Sequence, residues 1–330
     1  MTECLPWQLE AWQRLMRSRA AGRLPHAMLL TGPTGIGKLH FAQALAQSLL
    51  CQSPAESGFA CGACRDCRLF SVGNHPDLFN GQPGEPQAGI KIEQIRSLAE
   101  FCIRTSSSGR GRVGLVAPAE RMNSHAANAL LKTLEEPPPG IVLLLLSSQP
   151  SQIPATLRSR CQPLKLVYPP KVQAVQWLRE QEVADPELLL TLAGGAPLQA
   201  QQLAQQQALT TRRALFDIYR GVVEQRLSEA AAAEQWLRQD TELGLEWLLG
   251  WHMDLIRLNM STEVDLSHPD LAQELRDLAD VVSLSECFRR YHALLQIRQQ
   301  LKMQRNAPML MEAFFSTCQT VNQTIGVATG

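Results

Sequence analysis

The stretch LLTGPTGIGKLH, Leu29 to His40, carries Gly32-Pro33-Thr34-Gly35-Ile36-Gly37-Lys38 and fits the pattern G-x-x-x-x-G-K. In such a loop the glycines let backbone N–H groups face a phosphate. The following helix adds positive potential at its N-terminus, and the lysine reaches the terminal phosphates. Gly32, Thr34, Gly35, Gly37 and Lys38 are therefore the candidate phosphate-binding residues. A chance glycine turn is the competing reading; an apolar run before the loop and a helical pattern after it favour the motif. The hydrolytic parts are missing. Leu39 stands where a magnesium-binding hydroxyl is needed, and Ala117 and Pro118 stand where a neighbouring strand would supply a carboxylate. Glu120 comes later and is expected to face elsewhere. The loop keeps the cradle of a nucleotide hydrolase without the means to hold its metal.

Around this loop the chain alternates. HAMLL before it, RVGLVAP from Arg112 and IVLLLL from Ile141 read as buried parallel strands. Trp7 to Arg19 reads as a helix anchored by Trp7 and Leu15, and Lys38 to Leu50 as one with Phe41, Ala42, Leu45 and Leu49 at helical spacing. Between the second and third strands, NSHAANALLKTLEEPPPG offers a cap at Asn123 or Ser124. Ala127, Leu130, Leu131 and Leu134 fall on one face of that helix, and Pro137 to Gly140 stop it. Strands alternating with helices predict a parallel sheet covered on both faces. Beyond Pro169-Pro170 the pattern is almost wholly helical, first around AGGAP and then in longer amphipathic runs. QQLAQQQAL and SEAAAAEQW read as helix surface.

Length favours several domains, since 330 residues exceed one small core. Lys plus Arg balance Asp plus Glu at 31 each, which argues against a protein that coats nucleic acid by bulk charge. No signal-peptide pattern is visible at the N-terminus, and the longest apolar run is far short of the roughly 20 residues that span a bilayer. A cytoplasmic location without membrane contact is the expectation, and there cysteines serve as thiols or metal ligands more often than as disulfides.

Cys51, Cys61, Cys64 and Cys67 follow the spacing C-x₉-C-x₂-C-x₂-C. Four thiolates in one loop suit tetrahedral Zn²⁺ in a closed structural site. An iron–sulfur cluster competes, but its usual spacing places the fourth cysteine downstream and before proline, whereas Cys67 is followed by RLFS. Unliganded thiols are the third reading. Cys4, Cys102, Cys161, Cys287 and Cys318 are scattered and expected in cores.

NALLKTLEEPP, an apolar strand and then TLRSRCQ (Thr156 to Gln162) resemble the clamp-loader subunits of bacterial DNA polymerase III, which are AAA+ proteins. The four-cysteine insert after the loop helix and NAPMLMEAFF, Asn306 to Phe315, extend that resemblance to all but the middle region. It implies an α/β AAA+ P-loop domain over residues 1–166 with the zinc insert at 51–67. A small helical lid domain over 167–207 and a helical collar, or oligomerisation, domain over 208–330 would follow. Leu39, Ala117, Pro118 and GGAPL, which lacks a motor subunit's arginine, depart from the family's ATP-hydrolysing motors. They match members that keep the architecture without the catalysis. Such a member would join motor (tau/gamma) and delta subunits in a pentameric ring that loads a sliding clamp on primed DNA. By the same resemblance Arg160, in Ser159-Arg160-Cys161, would be an arginine finger acting in trans on a neighbour's ATP, with Arg158 as understudy. Fingers of this kind are worth about 10³–10⁵ in turnover in GTPases. ATP binding in the chain's own loop is left open by Lys38, but without metal support the phosphates lose charge neutralisation. Two alternatives stand beside this reading: a hydrolysing motor subunit rescued by Glu120, and a zinc-stapled nucleic-acid-binding module.

Lys91, Arg96, Arg104, Arg110 and Arg112 make the middle of the first domain locally basic, as a solvated face or as a contact for DNA or an anionic clamp. Lys132, Glu135 and Glu136 are expected to supply helix-end and interface electrostatics.

Overall fold

Five strands form one fully parallel sheet in the order β2-β3-β4-β1-β5 in the computed structural model, which describes residues 3–83, 88–261, 263–302 and 306–319. The strands are β1 (Ala27–Thr31), β2 (Leu78–Gly81), β3 (Arg112–Val116), β4 (Ile141–Ser147) and β5 (Gln162–Lys165). Helices α1 (Leu9–Ala20), α2 (Lys38–Leu50), α3 (Arg65–Ser71), α4 (Ile92–Ile103), α5 (Ser124–Glu135), α6 (Ala155–Arg158) and α7 (Lys171–Glu180) complete the first compact unit. That unit comprises residues 1–180 and 195–199.

The alternation of side chains across β1 and β4 shows why their sequences look uniformly apolar. Met28, Leu30, Leu144 and Leu146 face one core with Trp12, Phe41 and Leu45 of α1 and α2. Ala27, Leu29, Leu143 and Leu145 face another with Leu98 of α4 and Leu130 and Leu134 of α5. A strand buried on both faces cannot show a polar alternation. Helix α2 has the expected limits, and Asn123 is the cap of α5, its Oδ1 accepting the Ala126 amide at 2.8 Å. The start of the chain differs from expectation. Pro6–Gln8 form a 3-10 turn, the helix begins at Leu9, and its buried anchors are Trp12 and Leu15, while Trp7 packs edge-on against Trp177 at 5.4 Å.

Strands β2 and β5 carried no buried-run signal because each lies at a sheet edge. LFNG and QPLK are short and largely uncovered, and Pro163 is tolerated in a strand with a neighbour on one side only.

The second unit, residues 181–194 and 200–330, contains helices only among its described residues. Helix α8 (Pro186–Leu192) belongs to it, and α9 (Pro197–Gln205) crosses the division between the units. Its main bundle is α10 (Ala208–Val223), α11 (Glu229–Leu237), α12 (Thr241–Met260), α13 (Ala272–Ala279), α14 (Leu284–Lys302) and α15 (Ala307–Gln319). Phe216, Trp236, Trp251, Phe314 and Phe315 fill the middle. Ala232, Ala233 and Trp236 are buried, so SEAAAAEQW is partly core rather than surface. NAPMLMEAFF does close this bundle, through Met311, Phe314 and Phe315. Among the described residues, no helix is long and apolar enough to cross a membrane.

His252 lies wholly inside the bundle, its Nδ1 2.8 Å from the Leu248 carbonyl and its Nε2 3.3 Å from the Tyr219 hydroxyl. Burial pushes its pKa down from 6.5 to about 4. The unfolded chain therefore takes up a proton at this ring before the folded chain does. The ring's share of stability is complete above about pH 6.5 and is lost as pH falls toward 4. Denaturation of the helical unit, followed by tryptophan fluorescence, should show a midpoint falling across that interval. His252→Gln should flatten the fall; an unchanged slope would remove the ring as its cause.

Candidate functional site

The phosphate loop runs from the end of β1 into α2, as its sequence requires, yet its polar groups are largely engaged by the chain itself. Lys38 folds back, its Nζ donating to the carbonyls of Gly32 at 2.8 Å and Pro33 at 2.6 Å. Gln8, fully buried, donates to the carbonyls of Ile36 at 3.0 Å and Gly37 at 2.9 Å, and Trp7 Nε1 reaches the Ile36 carbonyl at 3.0 Å. The Leu198 amide donates to the Gly35 carbonyl at 3.0 Å. Thr34 is exposed and donates to Ser148 Oγ at 3.2 Å. Sequence reading missed Gln8. Its signal was a polar residue on the stripe of Gln8, Trp12 and Leu15, at i, i+4 and i+7 of an otherwise apolar face.

A cavity of about 790 Å³ lies against the loop, lined by Lys38, Leu39, Ala117, Pro118, Arg121 and Leu198 among others. All of the departures read from the sequence thus meet at one place: Leu39 beside the lysine, Ala117-Pro118 at the end of β3, and Leu198 in place of an arginine. Among the described residues no carboxylate lines this cavity. Glu120 does not line the cavity, in keeping with the expectation that it faces elsewhere, yet it lies close by. Its Oε1 accepts the Ser148 amide at 3.0 Å, and its charge opposes the burial that lowers the Lys38 pKa. It braces the cavity wall rather than presenting to the interior.

Arg160 is exposed just before β5. Its Nη2 lies 2.5 Å from Glu135 Oε1 and its Nη1 donates to the Thr156 carbonyl at 2.9 Å. Glu135 ends α5, so the EEPP signature and the SRC motif meet in one ion pair. The partners are 36% and 47% exposed, and pairs of that kind contribute only about 0–1 kcal/mol. Position matters more than strength. Arg160 precedes the first residue of β5 and Glu135 precedes β4, whereas the phosphate loop follows the last residue of β1. In a parallel sheet these are opposite ends, separated by the seven residues of β4, roughly 20 Å.

Cys51, Cys61, Cys64 and Cys67 converge, all four Sγ atoms lying within 4.8 Å of one another. Cys51 is 3.5 Å from Cys61 and 3.9 Å from Cys64, and Cys61 is 3.9 Å from Cys67. A tetrahedron of thiolates at about 2.3 Å from one ion has edges of about 3.8 Å, so the group could hold a single metal ion. An iron–sulfur cluster places several irons and sulfides between its thiolates and needs a wider cage. Amides of Cys61, Cys64 and Cys67 donate to the sulfurs of Cys51, Cys61 and Cys64 at 3.3–3.4 Å. Such donors, with the Ala63 amide foremost, hold the Cys61 thiol down at about 6, while burial pushes Cys67 up. The other five cysteines are buried, as expected.

Fold and site together define a P-loop domain on a parallel sheet that has lost its metal supports and carries a helical C-terminal unit. Comparison with known proteins narrows that class. Residues 7–169 match the family model described as DNA polymerase III, delta subunit, and residues 201–314 match that described as DNA polymerase III, delta subunit, C terminal. The chain is 36% identical to DNA polymerase III subunit delta′ of Pseudomonas aeruginosa, covering 95% of this chain and 96% of that one. To subunit delta′ of Escherichia coli K12 it is 31% identical, covering 90% and 89%. To subunit tau of the same organism it is 33% identical, over 55% of this chain and 28% of the relative. The chain belongs to the family of DNA polymerase III delta′ subunits.

Gly37 has φ of 87°, and a Cβ there would come within 2.3 Å of Leu5 Cδ1 and 2.9 Å of Gln8 Nε2. Gly37→Ala should therefore destabilise the first unit by about 2 kcal/mol or more, through the left-handed backbone and the displaced latch. Urea denaturation without nucleotide measures this. Wild-type stability would show that the loop's conformation is not needed by the fold.

Proposed function

We propose that the chain is a non-hydrolysing delta′ subunit of a replicative clamp loader that supplies Arg160 in trans to the ATP site of a neighbouring subunit. The observation that carries this reading is the separation of the arginine from the chain's own phosphate loop. An exposed guanidinium at the far end of the sheet cannot act on a nucleotide held at the near end. It could act on one held by the next subunit of a ring. A guanidinium is always charged and offers a planar fork of donors to a γ-phosphate, and the weak pair with Glu135 costs little to exchange for that phosphate. In this reading residues 1–166 form the AAA+ domain, 167–207 the lid and 208–330 the collar that joins motor and delta subunits in a pentamer acting on the clamp and primed DNA. The phosphate loop serves as a scaffold: Lys38 and Gln8 tie its carbonyls to the chain, and no group stands at Leu39, Ala117 or Pro118 to hold a metal. The hydrolysing alternative would have to recruit Glu120, which the Ser148 amide engages.

Reconstituted with motor and delta subunits, Arg160→Ala should assemble normally. The ATP turnover that depends on the site it serves should drop by on the order of 10³. The isolated chain should show no magnesium-dependent ATPase. Unchanged stimulated turnover in an assembled mutant ring removes the finger; turnover by the isolated chain removes the non-hydrolysing role.

The metal is proposed to be structural zinc, because four thiolates and no open position suit it. Cys64→Ser should lower bound zinc from about one ion per chain, by elemental analysis, and raise protease cleavage within residues 51–67. Iron with visible absorbance in the aerobically purified protein would instead indicate a cluster.

A further inference from the structure

The basic residues of the first unit do not form one solvated face. Arg112, at the start of β3, is only 6% exposed, and with Arg19, Arg110 and His26 it lines a cavity of about 500 Å³. The cavity lies at the beginnings of β1, β3 and β4, the end of the sheet away from the phosphate loop. Its remaining wall is apolar or rigid: Leu24, Leu49, Val142 and the prolines preceding β4. Among the described residues no carboxylate lines it, and none lies within ion-pair distance of the three arginines.

Each cation is held in place by neutral groups at hydrogen-bond distance. Arg19 donates from Nη1 to Ser48 Oγ at 2.8 Å and from Nη2 to the Ser48 carbonyl at 3.4 Å. Arg110 donates from Nη2 to the Gln52 carbonyl, one residue beyond Cys51, so the cysteine loop helps to position it. Arg112 donates from Nη1 to the Phe101 carbonyl at 3.0 Å and lies 6.0 Å from the Phe101 ring centre, while its buried Nε has no hydrogen-bond partner. His26 spends Nε2 on the Leu134 carbonyl at 3.2 Å. Burial and the like charge of Arg110 work against the charge on Arg19, and Cys51 works in its favour. A buried guanidinium with an unpaired nitrogen, facing one hollow with two others, is costly without a counter-charge near it.

We propose that this cavity binds a phosphate dianion, either free or as a phosphomonoester. Planar guanidinium forks match phosphate oxygens, and a hollow larger than one phosphate, with apolar walls, leaves room for a small organic substituent. This site is independent of the phosphate loop and of ring assembly.

Calorimetric titration of the zinc-loaded full chain with inorganic phosphate and, separately, with adenosine 5′-monophosphate at low salt tests it. Stoichiometric binding of at least one probe is expected, weakened at least tenfold in the double variant Arg19→Gln/Arg110→Gln. That variant spares the buried Arg112, and its fold is checked by thermal melting. Binding of phosphate identifies the free anion as sufficient; binding of the monophosphate alone identifies the ester. No binding of either probe, or binding that survives in the folded double variant, overturns the proposal. So does binding that Lys38→Ala abolishes while the arginine pair retains it, which would move the anion to the phosphate loop.

Discussion

The need to satisfy the carbonyls of the glycine loop shapes the first unit, and the ammonium of Lys38 on Gly32 and Pro33 meets part of it. A glycine loop shaped to present amides to an anion leaves carbonyls to be satisfied on its other side, and buried carbonyls without partners are expensive. Here Lys38, Gln8, Trp7 and the Leu198 amide meet that need. The loop thereby ties the N-terminal turn and the Gly195–Gln199 segment to the sheet, a structural duty that does not require a nucleotide. Such a duty can maintain the glycines after the metal supports have gone.

What sequence could show depended on where each element lies. The central strands announced themselves because burial on both faces demands continuous apolar runs, and α2 and α5 because cap and stripe agree. The edge strands β2 and β5 were silent, since a strand covered on one side by water needs neither length nor apolarity. The departures at Leu39, Ala117 and Pro118 were legible because the phosphate loop fixes where their counterparts must stand; Leu198 stood out only through the family resemblance. Gln8 showed only as a polar residue on an apolar stripe, and its partners, carbonyls distant in sequence, were not encoded there. Likewise Arg112 read as one more basic residue; only the register of β3 against β4 buries it among others of its charge.

The cysteine loop joins this scheme through its backbone. Gln52 presents its carbonyl to Arg110 between two metal-binding positions, while Ser48 of α2 binds Arg19 and donates to the Gly58 carbonyl inside the insert. A metal closing the four sulfurs would therefore order two of the three arginines as well as the loop itself. This gives the insert a consequence beyond its own folding, and it explains how a glycine- and serine-rich segment can hold guanidiniums at fixed positions.

Parallel strands give the domain two unlike ends. At the strands' C-terminal ends lies the loop, where open α/β sheets usually bind ligands. At the N-terminal ends lie Arg160, paired with Glu135, and the arginine-lined cavity. With Leu39, Ala117 and Pro118 in place the first end lacks a carboxylate or hydroxyl at the positions where a metal would be held, while at the second end a buried Arg112 nitrogen stands without a hydrogen-bond partner. Arg160 at that end is separated from the chain's own phosphate loop by the length of the sheet. In the proposed role its substrate is a neighbour's nucleotide, so the assembly, rather than the subunit, is the unit in which that role is measured.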